Sequence, residues 1–515
     1  MNSKHMITTI NIAKNSTQFS GLLILLLLLL VLTLSSFSVR GALFIEDIDI
    51  THHIEKEFQS DPVIPFNTID VNTNQGVVTL TGSVTNLLAK ERAVHLAQTV
   101  RGVRSVINRT EVKPISNYAA SVLQDAVRKA LLYDAATDSY EIEVQADDNG
   151  QISLSGTVDS WAERDLAETV AKGVSGVVSV RNNIDIQLQS KRPDNEIKRE
   201  VEKRLYWNAL IDNGLVDVSV TEGKVSLSGA VGSAAEKRLA ELDAWVHGVR
   251  TIDTSDLQVK KWARDNDLRE KKYVARSDVE ILAAIQDSMR HDPRVHLFDM
   301  EIKVSNGYVT LRGVVDNIQA KKAAISDARN TVGVVRVNNL IKVRSGVDLD
   351  DDEIAANIRS ALLRHPFTES YEINVRVKNG AAQLNGTVDT VFEKGVAEIV
   401  AQRASGATSV RNFLGVSNPG TVTYNPYVYD WAVYDFSWYG GAKMATNKSD
   451  REIKLDIENE MFWSPFVDLK DIDIDVNAGV AILTGTVDSW MEYNAARENA
   501  LEGGAISVIN KLNIQ

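Results

Sequence analysis

The sequence predicts an α+β fold: small αββαβ sandwiches in tandem, joined by short linkers and preceded by a hydrophobic N-terminal helix for export or anchoring. Three observations predict it. An apolar run fills residues 21–34, a pair of glycines six residues apart occurs six times, and a further glycine follows each pair after nineteen or twenty residues. The repeat of about 73 residues is the organising unit of the chain. The pairs are Gly76 and Gly82, Gly150 and Gly156, Gly223 and Gly229, Gly307 and Gly313, Gly380 and Gly386, and Gly479 and Gly485.

Each unit is predicted to open with a helix, because apolar residues recur at every fourth position, as at Ile197, Val201 and Leu205. This spacing places them on one face of a helix that packs on a core. Polar residues suited to capping free backbone N–H groups mark the predicted helix starts. They are Asp194 and Asp450 as N-caps, and Ser277 with Glu280 as a capping box.

A β-hairpin is predicted next, because two alternating stretches flank a turn that contains glycine. In the second unit Ile142 and Val144 precede the turn at Asn149-Gly150, and Ile152 follows it. Glycine supplies the positive φ that a tight hairpin turn requires. The second glycine of each pair lies within the returning strand, where a missing side chain indicates a bulge or close approach of another element.

A second helix follows the hairpin, and capping boxes mark its start in four units. The third glycine is predicted to be the C-cap of this helix. An alternating stretch, such as residues 177–186, then closes the unit as a third strand. The boxes are Ser160 with Glu163, Ser233 with Glu236, Thr390 with Glu393, and Ser489 with Glu492.

The repeated pattern resembles the BON domain, found in osmotically inducible periplasmic proteins of bacteria. The pattern is G-x-V-x-L-x-G-x-V, then a helix, then G-V-x-x-V-x-N. The second unit has it as GQISLSGTV and GVVSVRN, and the fourth as GYVTLRGVV and GVVRVNN. The third and sixth units depart from it at the last strand, with GVRTID and GAISVIN.

The resemblance implies a non-enzymatic module that binds phospholipid or attaches to a membrane surface and takes part in protection against envelope or osmotic stress. It implies no cofactor. The family has no defined catalytic residues to transfer to this chain, and its lipid contacts are too loosely specified by motif to be assigned to positions here.

Domain boundaries follow from the spacing of the repeats. Residues 1–40 form a signal peptide or membrane anchor, residues 260–276 a basic linker and residues 417–449 an aromatic-rich linker. The other linkers are short, so neighbouring repeats are expected to touch in a rod of limited flexibility. Repeats 1 to 6 are predicted at residues 46–113, 117–188, 194–259, 277–344, 350–416 and 450–515.

The N-terminal segment indicates export. Lys4 and Lys14 precede the apolar run, and Ser36 and Ser38 suit the positions before a cleavage site. The uncharged stretch to Val39 is also long enough to span a bilayer as an uncleaved anchor. Both interpretations place the rest of the chain in the periplasm, either free or tethered to the inner membrane by residues 20–39.

Composition argues against several kinds of site and partner. The chain has no cysteine, so it has no disulfide and no thiolate metal site. Its formal net charge is −13, and residues 1–40 contribute only positive charge, so the exported part is acidic and unsuited to nucleic acid. His52-His53 is the one adjacent histidine pair and lacks the spacing of a metal motif, so no metal site is expected.

The basic linker has seven basic and three acidic residues. Its cations could lie on an anionic lipid surface, where each contributes about 1 kcal/mol. The alternative is a solvated helical linker with internal ion pairs. The candidate lipid-binding residues are Lys260, Lys261, Trp262, Arg264, Arg269, Lys271, Lys272 and Arg276.

The aromatic-rich linker has eight aromatic residues between positions 423 and 439. Their alternation predicts an extended segment with one aromatic face. Tyrosine and tryptophan suit membrane and protein interfaces alike, and the alternative is an arm that packs across repeats 5 and 6. The candidate interface residues are Tyr427, Tyr429, Trp431, Tyr434, Phe436 and Trp438.

Three functions compete on the sequence alone. The first is a periplasmic protein whose tandem modules bind membrane phospholipid or envelope proteins through many weak contacts. The second is a membrane-tethered scaffold or chaperone-like rod that binds proteins. The third, an enzyme with a small-molecule substrate, is disfavoured, because the recurring polar residues have capping or turn roles and the sequence has no phosphate-loop or nucleophile-elbow motif.

Overall fold

All six repeats have the predicted order of helix, strand, strand, helix and strand, which confirms the α+β fold class. A computed structural model gives Asp47–Gln515 as a compact unit of its own. The structure describes residues 45–61, 63–137, 141–187, 192–264, 276–295, 298–368, 372–417 and 448–514. Within these ranges no helix is long and apolar enough to cross a bilayer. The predicted export helix, at residues 20–39, lies outside them.

Each repeat contributes two helices, one before the hairpin and one after it. The first helices are α1 (Asp47–Ser60), α3 (Ala120–Leu132), α5 (Asp194–Trp207), α7 (Asp278–His291), α9 (Asp351–Arg364) and α11 (Asp450–Trp463). The second helices are α2 (Leu87–Gln98), α4 (Trp161–Lys172), α6 (Ala234–Asp243), α8 (Ile318–Arg329), α10 (Val391–Arg403) and α12 (Trp490–Glu502).

The sheet of each repeat has the returning hairpin strand at its centre, antiparallel to the first strand and parallel to the third. The hairpins are β1 (Ile69–Asn74) with β2 (Val77–Val84), β5 (Ile142–Ala146) with β6 (Gln151–Val158), β8 (Val216–Thr221) with β9 (Lys224–Val231), β12 (Phe298–Ser305) with β13 (Tyr308–Val315), β15 (Ile373–Lys378) with β16 (Ala381–Val388), and β19 (Ile472–Asn477) with β20 (Val480–Val487). The third strands are β3 (Ser105–Asn108) and β4 (Glu111–Val112), β7 (Ser179–Ile186), β10 (Thr251–Asp253) and β11 (Leu257–Val259), β14 (Arg336–Val343), β17 (Ser409–Asn412) and β18 (Gly415–Val416), and β21 (Ser507–Ile514).

The core of each repeat lies between its helices and one face of its sheet. The predicted apolar face of α5, Ile197, Val201 and Leu205, is buried against Val225 and Leu227 of β9. The second helices contribute two fully buried alanines four residues apart, which let the helix approach the sheet closely. These are Ala93 and Ala97, Ala167 and Ala171, Ala240 and Ala244, Ala324 and Ala328, Ala397 and Ala401, and Ala496 and Ala500.

In five of the six described hairpin turns two consecutive residues have positive φ, the second of them glycine; in repeat 2 only Gly150 does. In repeat 4 these are Asn306 at 51° and Gly307 at 73°. The carboxylate of Asp278, the first residue of α7, accepts both of their N–H groups, at 2.8 and 3.0 Å. The turn is thereby fixed to the start of the first helix. The corresponding residues in four other repeats are Asp47, Asp194, Asp351 and Asp450.

The prediction that Asp194 and Asp450 are N-caps is therefore wrong. The helix N-caps are Pro193 and Ser449, one residue earlier in each case. The two aspartates bind the hairpin turn instead, because its N–H groups lie beside the first helical turn. The predicted capping box of Ser277 with Glu280 is confirmed.

The glycine inside the returning strand has its close neighbour within its own repeat. At Gly156, φ is 122°, and a Cβ atom there would collide with the carbonyl oxygen of Glu141, just before β5. The other hairpin strand thus approaches too closely for any side chain.

The prediction that the third glycine is a helix C-cap is wrong. In repeat 5 the C-cap is Ala404, whereas Gly406 follows in the loop with φ 85°. A Cβ atom on Gly406 would lie 2.7 Å from Cγ1 of Ile354 in α9. Glycine is required there because the loop passes directly over the first helix.

The repeats associate in three nested pairs: repeat 1 with 6, 2 with 5 and 3 with 4. In each pair the last residues of a first helix contact the loop after the partner's second helix. The carbonyl groups at a helix C-terminus lack intrahelical partners, and here they accept N–H groups across the pair. These bonds include Arg101 N–H to Trp463 O in pair 1–6, Ser175 N–H to Arg364 O and Ser405 N–H to Tyr133 O in pair 2–5, and Val332 N–H to Trp207 O and His247 N–H to His291 O in pair 3–4.

The predicted rod is wrong, because the first and last repeats lie against each other. The Nζ atom of Lys56 lies 2.6 Å from Oε1 of Glu460. Contacts also join repeats within each half of the chain, as between Lys172 and Glu91 at 2.5 Å. Short linkers limit how far apart neighbouring repeats can be, but they do not prevent the chain from folding back on itself.

Candidate functional site

Charged and polar side chains are buried where the repeats pair. After five of the first helices, within two residues of the helix end, comes a buried polar residue whose side chain accepts the backbone N–H two residues later. These residues are Asp61, Asp134, Asn208, Asp292 and Ser464. The turn they form directs the chain away from the helix, so the helix end stays open to the partner repeat.

Pair 1–6 brings together three glutamates, Glu57, Glu460 and Glu502, which we call the carboxylate cluster; Glu460 is buried and the other two are half-buried. Burial, and next the charge of Glu460, raise the pKa of Glu57 to about 8. Burial and the neighbouring Glu57 raise the pKa of Glu502 well above its ordinary value. Lys56 forms an ion pair with Glu460 and is half exposed. The cluster therefore favours bound protons at neutral pH.

His53 lies beside the carboxylate cluster. Its ring stacks on Trp463 of repeat 6 with centroids 4.6 Å apart, and its Nε2 lies 3.4 Å from Oε1 of Glu57. Burial, and next the charge of Lys56, lower the pKa of His53 to about 3. The imidazole is thus neutral at physiological pH and packs as an aromatic ring.

Pair 3–4 brings together a different set of charges, Arg204, Arg294, Asp243, Asp292 and Asp327, which we call the arginine network; Asp292 and Asp327 are buried and the other three are half-buried. Nη2 of Arg204 lies 3.7 Å from Oδ1 of Asp327 and 3.9 Å from Oδ1 of Asp243. Arg294 forms a two-pronged contact with Asp292, through Nε and Nη2. Burial, and next Asp292, raise the pKa of Asp327 to about 7.

Pair 2–5 has a cavity beside it. The ion pair of Arg403 Nε with Asp134 Oδ2, at 2.9 Å, joins the two repeats. The cavity has a volume of about 430 Å³ and is lined by repeats 1, 2, 3 and 5. The helices α2, α4, α6 and α10 converge on it, so it lies at the meeting point of several repeats. A volume of this size is in the range of small-molecule sites.

Two groups of described residues have potential metal-ligand atoms within 4.8 Å of one another. One is His53, Glu57 and Glu460; the other is Glu200, Asp287 and His291. Each already contains an ion pair with a lysine: Lys56 with Glu460, and Lys203 with Asp287, both at 2.6 Å. These lysines neutralise part of the negative charge that a cation would require.

The basic linker lies mostly outside the described residues, including Arg269, Lys271 and Lys272. At its start Trp262 is 57% exposed. Lys260 is half-buried, and of Lys261 and Arg264 the structure describes only the backbone.

At the other end of the linker, Arg276 contacts repeat 3. Its guanidinium donates to the hydroxyl of Tyr206 at 2.5 Å and lies over the rings of Tyr206 and Trp207 at 5.2 and 5.4 Å. Arg276 therefore stabilises pair 3–4. The six candidate aromatic residues of the second linker lie outside the described residues.

The first helices carry exposed apolar side chains on the face away from the core. Their second, sixth and thirteenth positions fall within about 40° of one another around the helix axis. In α5 these positions have Asn195, Arg199 and Tyr206 instead. The exposed apolar residues at these positions are Ile48 in α1, Leu132 in α3, Val279 in α7, Leu363 in α9 and Leu455 in α11, and Val122, the third residue of α3, is exposed as well.

The recurring hydroxyl residues have structural partners. Ser160, Ser233, Thr390 and Ser489 are N-caps of second helices, and each accepts the backbone N–H three residues later. In repeat 6 the carboxylate of Glu492 accepts the N–H groups of Asp468 and Asp488. The positions that recur in the sequence thus fix local backbone geometry.

Comparison with known proteins identifies the family. The BON domain matches residues 46–114, 119–187, 193–261, 277–345, 350–418 and 449–515. The chain belongs to the BON-domain family. The matched segments together cover most of the chain, which confirms the resemblance seen in its glycine pattern.

Two curated proteins with BON-like sequence are similar to part of this chain. Osmotically-inducible protein Y of Escherichia coli is 37% identical over 147 residues, which are 27% of this chain and 73% of that protein. Outer membrane lipoprotein DolP of Haemophilus influenzae is 28% identical over 138 residues, 26% of this chain and 69% of that protein.

One solved structure is similar to part of this chain: CdsD, a structural protein of the type III secretion system of Chlamydia trachomatis. The match covers 41% of this chain and 91% of the CdsD chain. The sequence identity is 19% and the TM-score is 0.12.

Sequence reasoning found the repeats but missed their pairing. One signal was present: two of the first helices end in a pair of aromatic residues, Tyr206-Trp207 and Phe462-Trp463. Such large side chains at a helix end exceed what one small core needs. In the structure Trp463 stacks on His53 of the partner repeat.

Proposed function

We propose that this protein is a non-enzymatic component of the bacterial cell envelope that attaches to phospholipid surfaces and contributes to protection against envelope or osmotic stress. The observation that carries the proposal is the presence of six BON domains in one chain. The names of two relatives support it, one osmotically inducible and one an outer membrane lipoprotein.

The N-terminal sequence supports a periplasmic location. Its apolar run suits a signal peptide or an anchor in the inner membrane at residues 20–39. Whether this segment is cleaved as a signal peptide or retained as an anchor, the repeats have access to membrane surfaces.

Two surface features suit weak contact with lipid. The exposed apolar residues of the first helices offer several separate points of contact, and many weak contacts on one chain add up to strong binding. The basic linker adds net positive charge beside the exposed Trp262, in a protein that is otherwise acidic. Since surface charges are screened over roughly 8 Å in physiological salt, such a local patch outweighs the distant negative charge.

Binding of an envelope protein is the alternative. A role as a long spacer is not favoured, because repeat 6 packs against repeat 1 and the chain does not extend. A protein-binding role would use the same exposed apolar residues and the aromatic-rich linker.

Vesicle co-sedimentation tests the proposal. Residues 41–515 are mixed with anionic or neutral phospholipid vesicles over a range of salt concentrations. We expect binding to anionic vesicles that weakens as salt rises. Failure of the folded protein to bind either vesicle would shift the assignment to a protein partner.

A pair of charge-reversal variants locates the contact. Replacement of Arg269, Lys271 and Lys272 by glutamate is expected to abolish most of the anionic binding. The matched control replaces Lys113, Lys303 and Lys470, which are 68, 72 and 65% exposed, by glutamate. Equal loss in both variants would show that net charge, and not the basic linker, determines binding.

A further inference from the structure

The cavity beside pair 2–5 exists because of two alanines. The eleventh residue of a first helix faces the pair interface, where pair 1–6 has Glu57 and Glu460, and repeat 3 has Arg204. Pair 2–5 has Ala130 and Ala361 at these positions, and both line the cavity. Pair 2–5 therefore has space where other pairs have long charged side chains.

The cations of the cavity lining differ in their partners. Arg403 pairs with Asp134 and Lys172 with Glu91. Arg364, by contrast, forms no ion pair with any carboxylate in the part of the chain that the structure describes, and its Nε is buried without a hydrogen-bond acceptor. Burial lowers the pKa of Arg364, which remains charged at neutral pH. Arg364 is half-buried, and a guanidinium with a buried, unpaired Nε is stabilised by an anion.

The next residue offers a second donor. Nδ1 of His365 accepts the N–H of Phe367 at 3.3 Å, so the proton of the neutral ring is on Nε2. Burial, and next Arg403, lower the pKa of His365 to about 3, which keeps the ring neutral. Arg364 and His365 both line the cavity.

Much of the remaining lining is apolar. It includes Val170, Val174, Leu242, Trp245, Ile399 and Val400. Trp245 is held in place by stacking on Trp161, with centroids 5.4 Å apart. The volume of about 430 Å³ corresponds to about fourteen water molecules at roughly 30 Å³ each, enough for a single aliphatic chain.

We propose that this cavity binds one single-chain amphiphile with an anionic head, either a carboxylate or a phosphate monoester. Arg364 and His365 bind the head by charge-assisted hydrogen bonds, and Trp245 with the aliphatic side chains contacts the chain. This site is a cleft between repeats 1, 2, 3 and 5 and differs from the surface attachment proposed above, so each can fail without the other.

Calorimetric titration of residues 41–515 with four dodecyl probes, each below its micelle concentration, tests the proposal. Dodecanoate and dodecyl phosphate are expected to bind at one molecule per chain, and dodecanol and dodecyltrimethylammonium far more weakly. Tighter binding of dodecanoate would identify a fatty-acid type of ligand, and tighter binding of the phosphate a phosphate monoester. Equal binding of the ammonium probe, or uptake of many molecules per chain, would overturn the proposal.

Two variants assign the binding to the cavity. Arg364→Gln is expected to weaken binding of the anionic probes about ten- to a hundredfold. Its control is Arg290→Gln, an exposed arginine near the end of the corresponding helix in repeat 4. The double variant Ala130→Leu/Ala361→Leu keeps the charges and fills the space, and it is expected to block the anionic probes. Unchanged binding in Arg364→Gln or in the filled variant would refute the site.

Discussion

Pair 1–6 and pair 3–4 have the same backbone contact but differ in their charged side chains: pair 1–6 gathers carboxylates, whereas pair 3–4 combines arginines with aspartates. In each pair a carbonyl at the end of a first helix accepts an N–H from the partner's loop. The eleventh residue of the first helix then determines which charged groups lie in the pair. Glu57 and Glu460 give pair 1–6 its carboxylate cluster, whereas Arg204 gives pair 3–4 its arginine network.

The difference shows that the backbone fold determines where two repeats contact each other. The side chains at that contact determine how its stability responds to pH. Pair 3–4 joins two repeats that are neighbours in the chain, and its charges are largely compensated. Pair 1–6 joins the first repeat to the last, and its three glutamates outnumber the nearby lysine. We therefore expect pair 1–6 to weaken at high pH and pair 3–4 to depend on its arginines.

The largest expected effect is that of Arg204→Met. The substitution leaves Asp327, Asp243 and Asp292 buried with less positive charge, so we expect a loss of about 3–5 kcal/mol in the free energy of unfolding in urea. Lys203→Met, next to it in an exposed ion pair, should cost less than about 1 kcal/mol. Similar losses in both variants would show that burial of the network contributes little.

Glu57→Gln tests the expectation that pair 1–6 weakens as the pH rises. The folded pKa of about 8 lies above the ordinary value of 4.5, so protonated Glu57 stabilises the fold below about pH 4.5. This stability is lost as the pH rises towards 8. At pH 8 the variant should be more stable than the natural chain by about 2 kcal/mol in urea unfolding. The exposed Glu111→Gln is the control, and a parallel gain there would contradict the assignment.

His53→Phe should have the opposite pH dependence and a smaller effect. The folded pKa of His53, about 3, lies below its ordinary value of 6.5, so its stabilisation is present above pH 6.5 and is lost as the pH falls towards 3. Phenylalanine keeps the stacking on Trp463 and cannot be protonated. At pH 5.5 the variant should be more stable than the natural chain by about 1 kcal/mol. Thermal melting at pH 5.5 and 7.5 checks this, with the exposed His52→Phe as control.

The smallest expected effect is that of Asp351→Ala, which acts within one repeat and leaves both pairs intact. Backbone N–H groups of Gly380 and Asn379 lower the pKa of this exposed carboxylate. Its contribution is therefore present above its ordinary pKa and is lost below it. Hydrogen exchange at Gly380 should quicken while exchange in α5 and α11 stays unchanged. Faster exchange in those two helices would indicate that the turn also supports the pairing.

Local elements were predictable because their causes are local. The apolar positions of α5, the two-residue turn at Asn306-Gly307 and the capping box of Ser277 with Glu280 each depend on residues close in sequence. The errors have a common reason. Asp194 was predicted to cap its own helix because the turn that it binds, at Glu222-Gly223, lies 28 and 29 residues away.

The candidate site was less predictable than the fold. Arg276 was predicted to bind lipid, which stays a prediction, and the sequence did not indicate that its guanidinium lies over Tyr206 and Trp207 of repeat 3. The cavity beside pair 2–5 left no sign in either repeat, because Ala130 and Ala361 are ordinary helix residues until the two helices meet.

The sequence by itself determined the repeat, its αββαβ order, its membership of the BON family and the acidic character of the chain. The repeat, its order and the acidic character follow from periodicity, turn residues and composition, and the family follows from the resemblance of the repeated motif to the BON domain, which the family match confirms. Only the tertiary structure decided which repeats pair and where the buried charges and the cavity lie. The pairing is formed largely by backbone groups at helix ends, which every residue carries, so no residue pattern identifies the partner.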